Sequence, residues 1–166
     1  MASTNIAYGS STSLTVTGLA SLANSATVGW QSDKIDNTST KAIDYLIECT
    51  FPMASTAAAN DKTVYLYACP AYYDGTTWYY SDGGTTTLPS GSNSAYTIGA
   101  SNNLMLLKSW TYTATGQTVQ GTVNLSQALG SSMPQGFSLI VVNYTGAAMA
   151  ASGAKIQVTP ITFTVV

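Results

Sequence analysis

From Ile43 to Pro52 the chain alternates, with Ile43, Tyr45, Ile47, Cys49 and Phe51 on one side and Asp44, Glu48 and Thr50 among the residues between. Successive strand side chains point to opposite faces, so this pattern describes a strand with one face against a core. It predicts that Ile43, Tyr45, Ile47 and Phe51 face inward. A second run, Thr63–Tyr73, reads the same way, and its Pro70 predicts a bend or an exposed edge because proline donates no ladder hydrogen bond.

Similar signals recur every ten to fifteen residues, bounded by Gly, Pro, Asn, Asp and Ser clusters. They fall at Leu14–Thr17, Ala26–Trp30, Trp78–Tyr80, Asn103–Tyr112, Thr118–Leu125, Phe137–Tyr144 and Ile156–Val166, the last interrupted at Pro160. Helix is confined to single turns at Leu19–Ala23 and Ser126–Leu129. Eight or nine short strands predict an all-β, antiparallel sandwich, and the long connections at 31–42, 81–94 and 145–154 favour a jelly-roll-like order. No repeat or composition break divides residues 1–166, which read as one domain, with 1–12 set apart as a candidate flexible N-terminal arm.

The 166 residues include no histidine and no arginine. Histidine is the commonest acid–base catalyst and metal ligand, and arginine the preferred bidentate grip on phosphate and carboxylate. A net charge of −2 gives no footprint for nucleic acid. Only 7% of residues are charged while 45% are hydrophobic, which argues against disorder and for a surface that is easily desolvated inside an assembly. The start, Met1–Ile6, has no basic region followed by an apolar one, so no secretory signal is expected, and no apolar run reaches the length of a membrane span. Cys49 and Cys69 are expected as buried thiols, although two strand cysteines can also lie across a sheet from each other.

The acids offer little chemistry. Asp44 and Glu48 share a strand face at a separation of roughly 13 Å, beyond the reach of a glycosidase pair. Asp33, Asp36 and Asn37, or Asp74 and Asp82, supply oxygens of the kind that bind calcium, but turn chemistry explains them without an ion. Asn37, Asn124 and Asn143 begin Asn-x-Ser/Thr triplets that a Ser/Thr-rich chain contains by chance. The expectation is therefore no catalytic residue, no cofactor and no metal.

Five aromatics fall within nine residues: Tyr72, Tyr73, Trp78, Tyr79 and Tyr80, around the hairpin turn Asp74-Gly75. Alternation cannot bury all five on one face, so at least two should point outward. They form the candidate contact surface, for a protein partner or for a stacked sugar.

Leu19–Ala23, the Asp36-Asn37 turn, the strand Tyr45–Phe51, the strand Val64–Tyr67 leading to Asp74-Gly75, and Phe137–Met149 (FSLIVVNYTGAAM) together resemble a group of small tailed-bacteriophage virion proteins. The resemblance touches about two thirds of the chain, in order. The stretch Ala71-Tyr72-Tyr73 departs from it, where that group has a short Gly/Ser step. The resemblance implies a virion component, foremost a jelly-roll decoration or cement protein on the head. The expected partners are the major capsid protein and, from the scarcity of surface charge, the chain itself as a homotrimer, with no nucleic acid and no membrane. A carbohydrate-binding or adhesin module, including a tail or fibre component, is the alternative, with a glycan as partner.

Overall fold

A computed structural model describes residues 4–59, 61–80, 93–98, 104–130 and 132–165. The alternating runs become the long strands β5 (Asp44–Pro52), β6 (Thr63–Tyr73), β11 (Gly136–Tyr144) and β12 (Lys155–Val165). Around them lie β1 (Thr4–Tyr8), β2 (Thr12–Ser13), β3 (Val28–Gln31), β4 (Ile35–Asp36), β7 (Trp78–Tyr80), β8 (Ser94–Thr97), β9 (Met105–Thr111) and β10 (Thr118–Asn124). One sheet has the order β1-β12-β5-β10, with β2 also on β12; the other runs β7-β6-β11-β3-β8, with β4 on β11 and β9 on β6. Consecutive strands β9, β10, β11 and β12 alternate between the sheets, as do β5 and β6, and every pairing is antiparallel. This is an all-β sandwich of jelly-roll-like order.

The twelve strands among the described residues exceed the eight or nine expected, because β1, β2, β4 and β8 are short pieces whose partners lie far along the chain. The candidate arm is not free: Thr4–Tyr8 and Thr12–Ser13 both pair with β12. The strand expected at Leu14–Thr17 does not form: Leu14–Val16 are irregular, and a turn of 3-10 helix follows at Thr17–Leu19 with Leu19 buried in the core. The single helical turn α1 (Ser126–Leu129) falls where expected.

The core lies between the sheets. From β5 it takes Tyr45, Ile47, Cys49 and Phe51; from β6, Val64, Leu66 and Ala68; from β11, Phe137, Leu139 and Val141. Tyr45 meets Phe137, and Phe51 meets Trp110, edge to face at 5.1 and 5.6 Å between centroids, the arrangement the ring quadrupole favours. Ile43, expected inside, precedes β5 and is 38% exposed. A smaller cluster of Cys69, Tyr96, Ile140 and Val142 covers the outer face of the seven-stranded sheet, so β11 is buried on both sides. Both cysteines are buried thiols, and burial, with Glu48 adding to it, pushes the Cys49 thiol up to about 12.

Neither proline breaks its strand. Tyr73 N–H donates to Gln135 Oε1 on the β11 side, so by alternation the nitrogen of Pro70 faces the other edge. That edge passes there from β9, which ends opposite Ala68, to β7, which begins opposite Ala71. Pro160 repeats the device. Its carbonyl accepts from Gly9 N–H, and it lies between the stretches of β12 that pair with β2 and β1. Each missing donor falls where two short strands share an edge.

Candidate functional site

The hairpin of β6 and β7 is built around Asp74. Its backbone N–H donates to Thr77 O at 3.2 Å, and its carboxylate accepts from the N–H groups of Thr76 and Thr77, both at 2.8 Å. Those two backbone donors hold the carboxyl below the usual aspartate range. Gly75 has φ +101°, a conformation that glycine adopts without strain.

The turn sets the register Ala71–Tyr80, Tyr72–Tyr79 and Tyr73–Trp78. Directly opposed residues share a face, so the five aromatics divide. Tyr72 and Tyr79 stand side by side on one face, 60% and 52% exposed. Tyr73 and Trp78 stack on the other face at 4.9 Å between centroids, with Lys34 Nζ 3.9 Å from the Trp78 ring centre. That cation–π contact adds to the stack. Tyr80, half-buried, packs on the cluster around Cys69 and Ile140, and burial raises its phenol.

Beside Tyr72 and Tyr79 runs an open groove of about 470 Å³, walled by Pro70, Met133 and Pro134, with Gln135 at its rim. That at least two of the five aromatics point outward was legible in the sequence; that they are Tyr72 and Tyr79 follows from the register. The opposite wall was not legible, because Met133-Pro134-Gln135 lies more than fifty residues away, without an aromatic or charge to mark it. Lys34 likewise carries no sequence signal of its position over Trp78.

The walls of the groove are aromatic, aliphatic and amide groups, and tyrosines of this kind give large rigid area and a polar tip. Asp33, Asp36 and Asp44 are engaged elsewhere. Asp33 Oδ1 accepts from Asn93 N–H at 2.8 Å, and Asp36 Oδ1 from the N–H and hydroxyl of Thr38. Asp44 accepts from Asn124 and Ser126, and Glu48 stands exposed on the same outer face. Among the described residues no group of three His, Cys, Asp or Glu side chains is placed to hold a metal ion; Asp82 lies outside them.

Two of the asparagine triplets are structural. Asn37 donates to Ala42 O and Pro134 O and accepts from Ala42 N–H and the Tyr45 hydroxyl. Asn143 donates to Leu22 O and Ala147 O and accepts from the N–H and hydroxyl of Thr145. Both are buried with every amide valence used, which leaves neither free to carry a glycan or a calcium ion.

Compared with family models, curated proteins and solved structures, the chain finds no match.

Proposed function

We propose that this chain is a non-enzymatic structural protein of a tailed-phage virion: a decoration or cement protein that assembles on the head, as a homotrimer, against the major capsid protein. The supporting observation is the Tyr72–Tyr79 pair, exposed beside an apolar groove at the tip of a stacked hairpin. Tyrosine and tryptophan dominate the energetic centres of interfaces. The low charge of the chain fits a surface that is desolvated without burying ions, and the sequence resemblance points the same way. Many copies, each burying roughly 1,200–2,000 Å², resist internal pressure on the shell through multivalency.

Co-sedimentation of the purified protein with empty phage heads tests the proposal. Tyr72→Ala/Tyr79→Ala should weaken head binding by about 2 kcal/mol or more, the hot-spot threshold. Trp78→Ala, which removes the Tyr73 stack and the Lys34 contact, should loosen the hairpin as well. Wild-type protein that never pellets with heads overturns the assignment.

The same tyrosines support a second reading, a glycan-binding or adhesin module that stacks a sugar ring on Tyr72 or Tyr79. Glycan binding abolished by the double substitution, with no association with heads, would replace the first reading by this one.

A further inference from the structure

The two ends of the chain meet in a ribbon that leaves the sandwich. β1 pairs with the last five residues of β12, from Thr4 opposite Val165 to Tyr8 opposite Ile161. β5 accompanies β12 only as far as Ile161. Beyond that point the described residues contain two strands with no third beside them.

Opposed residues share a face and alternate residues return to it. One face of the ribbon is therefore Thr4, Ile6, Tyr8, Ile161, Phe163 and Val165, with Ile161 buried where the ribbon joins the core, and the other is Asn5, Ala7, Thr162 and Thr164. The apolar face lies open, with Ile6 61%, Tyr8 66%, Phe163 58% and Val165 76% exposed. These are four of the nine large hydrophobic side chains exposed among the described residues, gathered on about ten residues of chain. Together they present on the order of 500 Å² of apolar surface, near the upper end of what a monomer shows.

Nothing about this ribbon suits life in water. An isolated two-stranded ribbon is marginal on its own. The outer edge of β1 carries none of the lysines, prolines or bulges with which proteins protect an open strand. Its occupant is indicated by charge and area. Neither Thr4–Ser13 nor Ile156–Val165 contains a charged side chain, so identical faces meet without like-charge repulsion and without stripping water from ions. Two such faces in contact bury on the order of 1,000 Å², the threshold that separates a biological interface from an incidental contact.

We infer that the β1–β12 ribbon is the self-association surface of this chain, copies packing their apolar ribbon faces together about a common axis. The number of copies, three, rests on the function proposed above; the location of the interface does not. The hairpin with Tyr72 and Tyr79 belongs to the other sheet and remains available to a different partner.

Sedimentation equilibrium of the full chain tests the inference. The expected result is an assembled wild-type protein, and a species of about 17.2 kDa for Ile6→Thr/Phe163→Thr at the same concentration with an unchanged far-ultraviolet spectrum. Threonine keeps the strand preference while removing the apolar surface. Asn5→Ser/Thr164→Ser, on the opposite face, should leave the mass of the assembly unchanged. A wild-type protein that sediments as one protomer overturns the inference, as does a doubly threonine-substituted protein that still assembles. A monomeric wild type whose head binding is lost on Ile6→Thr/Phe163→Thr would give the ribbon to the capsid protein instead. A dimer dispersed by the same substitutions would keep the ribbon as the interface and overturn the threefold arrangement alone.

Discussion

The indole of Trp78 occupies the space over Gly136, where a Cβ atom would come within 2.5 Å of the ring. The same methyl would lie 2.9 Å from the carbonyl oxygen of Ile35, which is fixed by the pairing of β4 with β11. Gly136 is thus the floor on which the hairpin stack rests. Gly136→Ala should cost about 1–3 kcal/mol, the usual penalty of overpacking, and shift tryptophan fluorescence as Trp78 leaves Tyr73 and Lys34. An unchanged denaturation midpoint would show that the indole has room to move aside.

Ile47 is fully buried at the centre of β5. Ile47→Ala should destabilise the protein by about 2–5 kcal/mol, as truncations of core aliphatic residues do. Ile43→Ala, at a site 38% exposed, should cost less. Guanidinium denaturation of the two variants side by side checks both the register and the edge of the core.

Asn143 holds together the chain from Leu22 to Ala147 with no solvent contact. Asn143→Ala removes the amide bonds to Leu22 O and Ala147 O, which keep Met149 N–H and the Thr145 hydroxyl, and leaves the Thr145 N–H without its acceptor. A buried unsatisfied group costs about 1–3 kcal/mol, the loss expected in chemical denaturation. A loss below about 0.5 kcal/mol, typical of exposed sites, would mean that water replaces the amide.

Acid should weaken the fold through Asp44. Burial alone would raise its pKa, but hydrogen bonds from Asn124, Ser126 and Tyr45 outweigh burial and hold it below the ordinary 3.8. Asp36 is lowered too, burial being outweighed by Thr38 and Lys34. A folded-state pKa below the unfolded one contributes stability that is present above the unfolded value and lost as pH falls through the folded value. Thermal midpoints should therefore fall as pH drops below about 3.9, and Asp44→Asn should flatten that dependence. With no histidine in the chain, no imidazole adds a step near neutrality. An Asp44→Asn protein with the full acid slope would move the effect to other carboxylates.

The strands β5 and β6 were readable because their burial is one-sided. Thr63–Tyr73 appears with the expected ends, and Asp74-Gly75 turns where a hairpin was expected. What escaped reading depends on partners distant in sequence. Thr4–Tyr8 is short and weakly patterned and is a strand because β12 offers it an edge. Asn37 and Asn143 look like surface triplets until the carbonyls they satisfy are brought around them. Within the hairpin, outward tyrosines were expected, but which of the five they were followed from the pairing of Tyr72 with Tyr79.

Pro70 and Pro160 also partition the molecule mechanically. The hairpin tip begins one residue after Pro70, and the terminal ribbon one residue after Pro160. On those edges the hydrogen-bond ladder is discontinuous, so β7 can detach from β6 without drawing β9 away, and β1 from β12 without drawing β2. Each of the two exposed tips is thereby a separate opening unit, able to fray, or to reorganise against a neighbour, while the sandwich behind it stays closed.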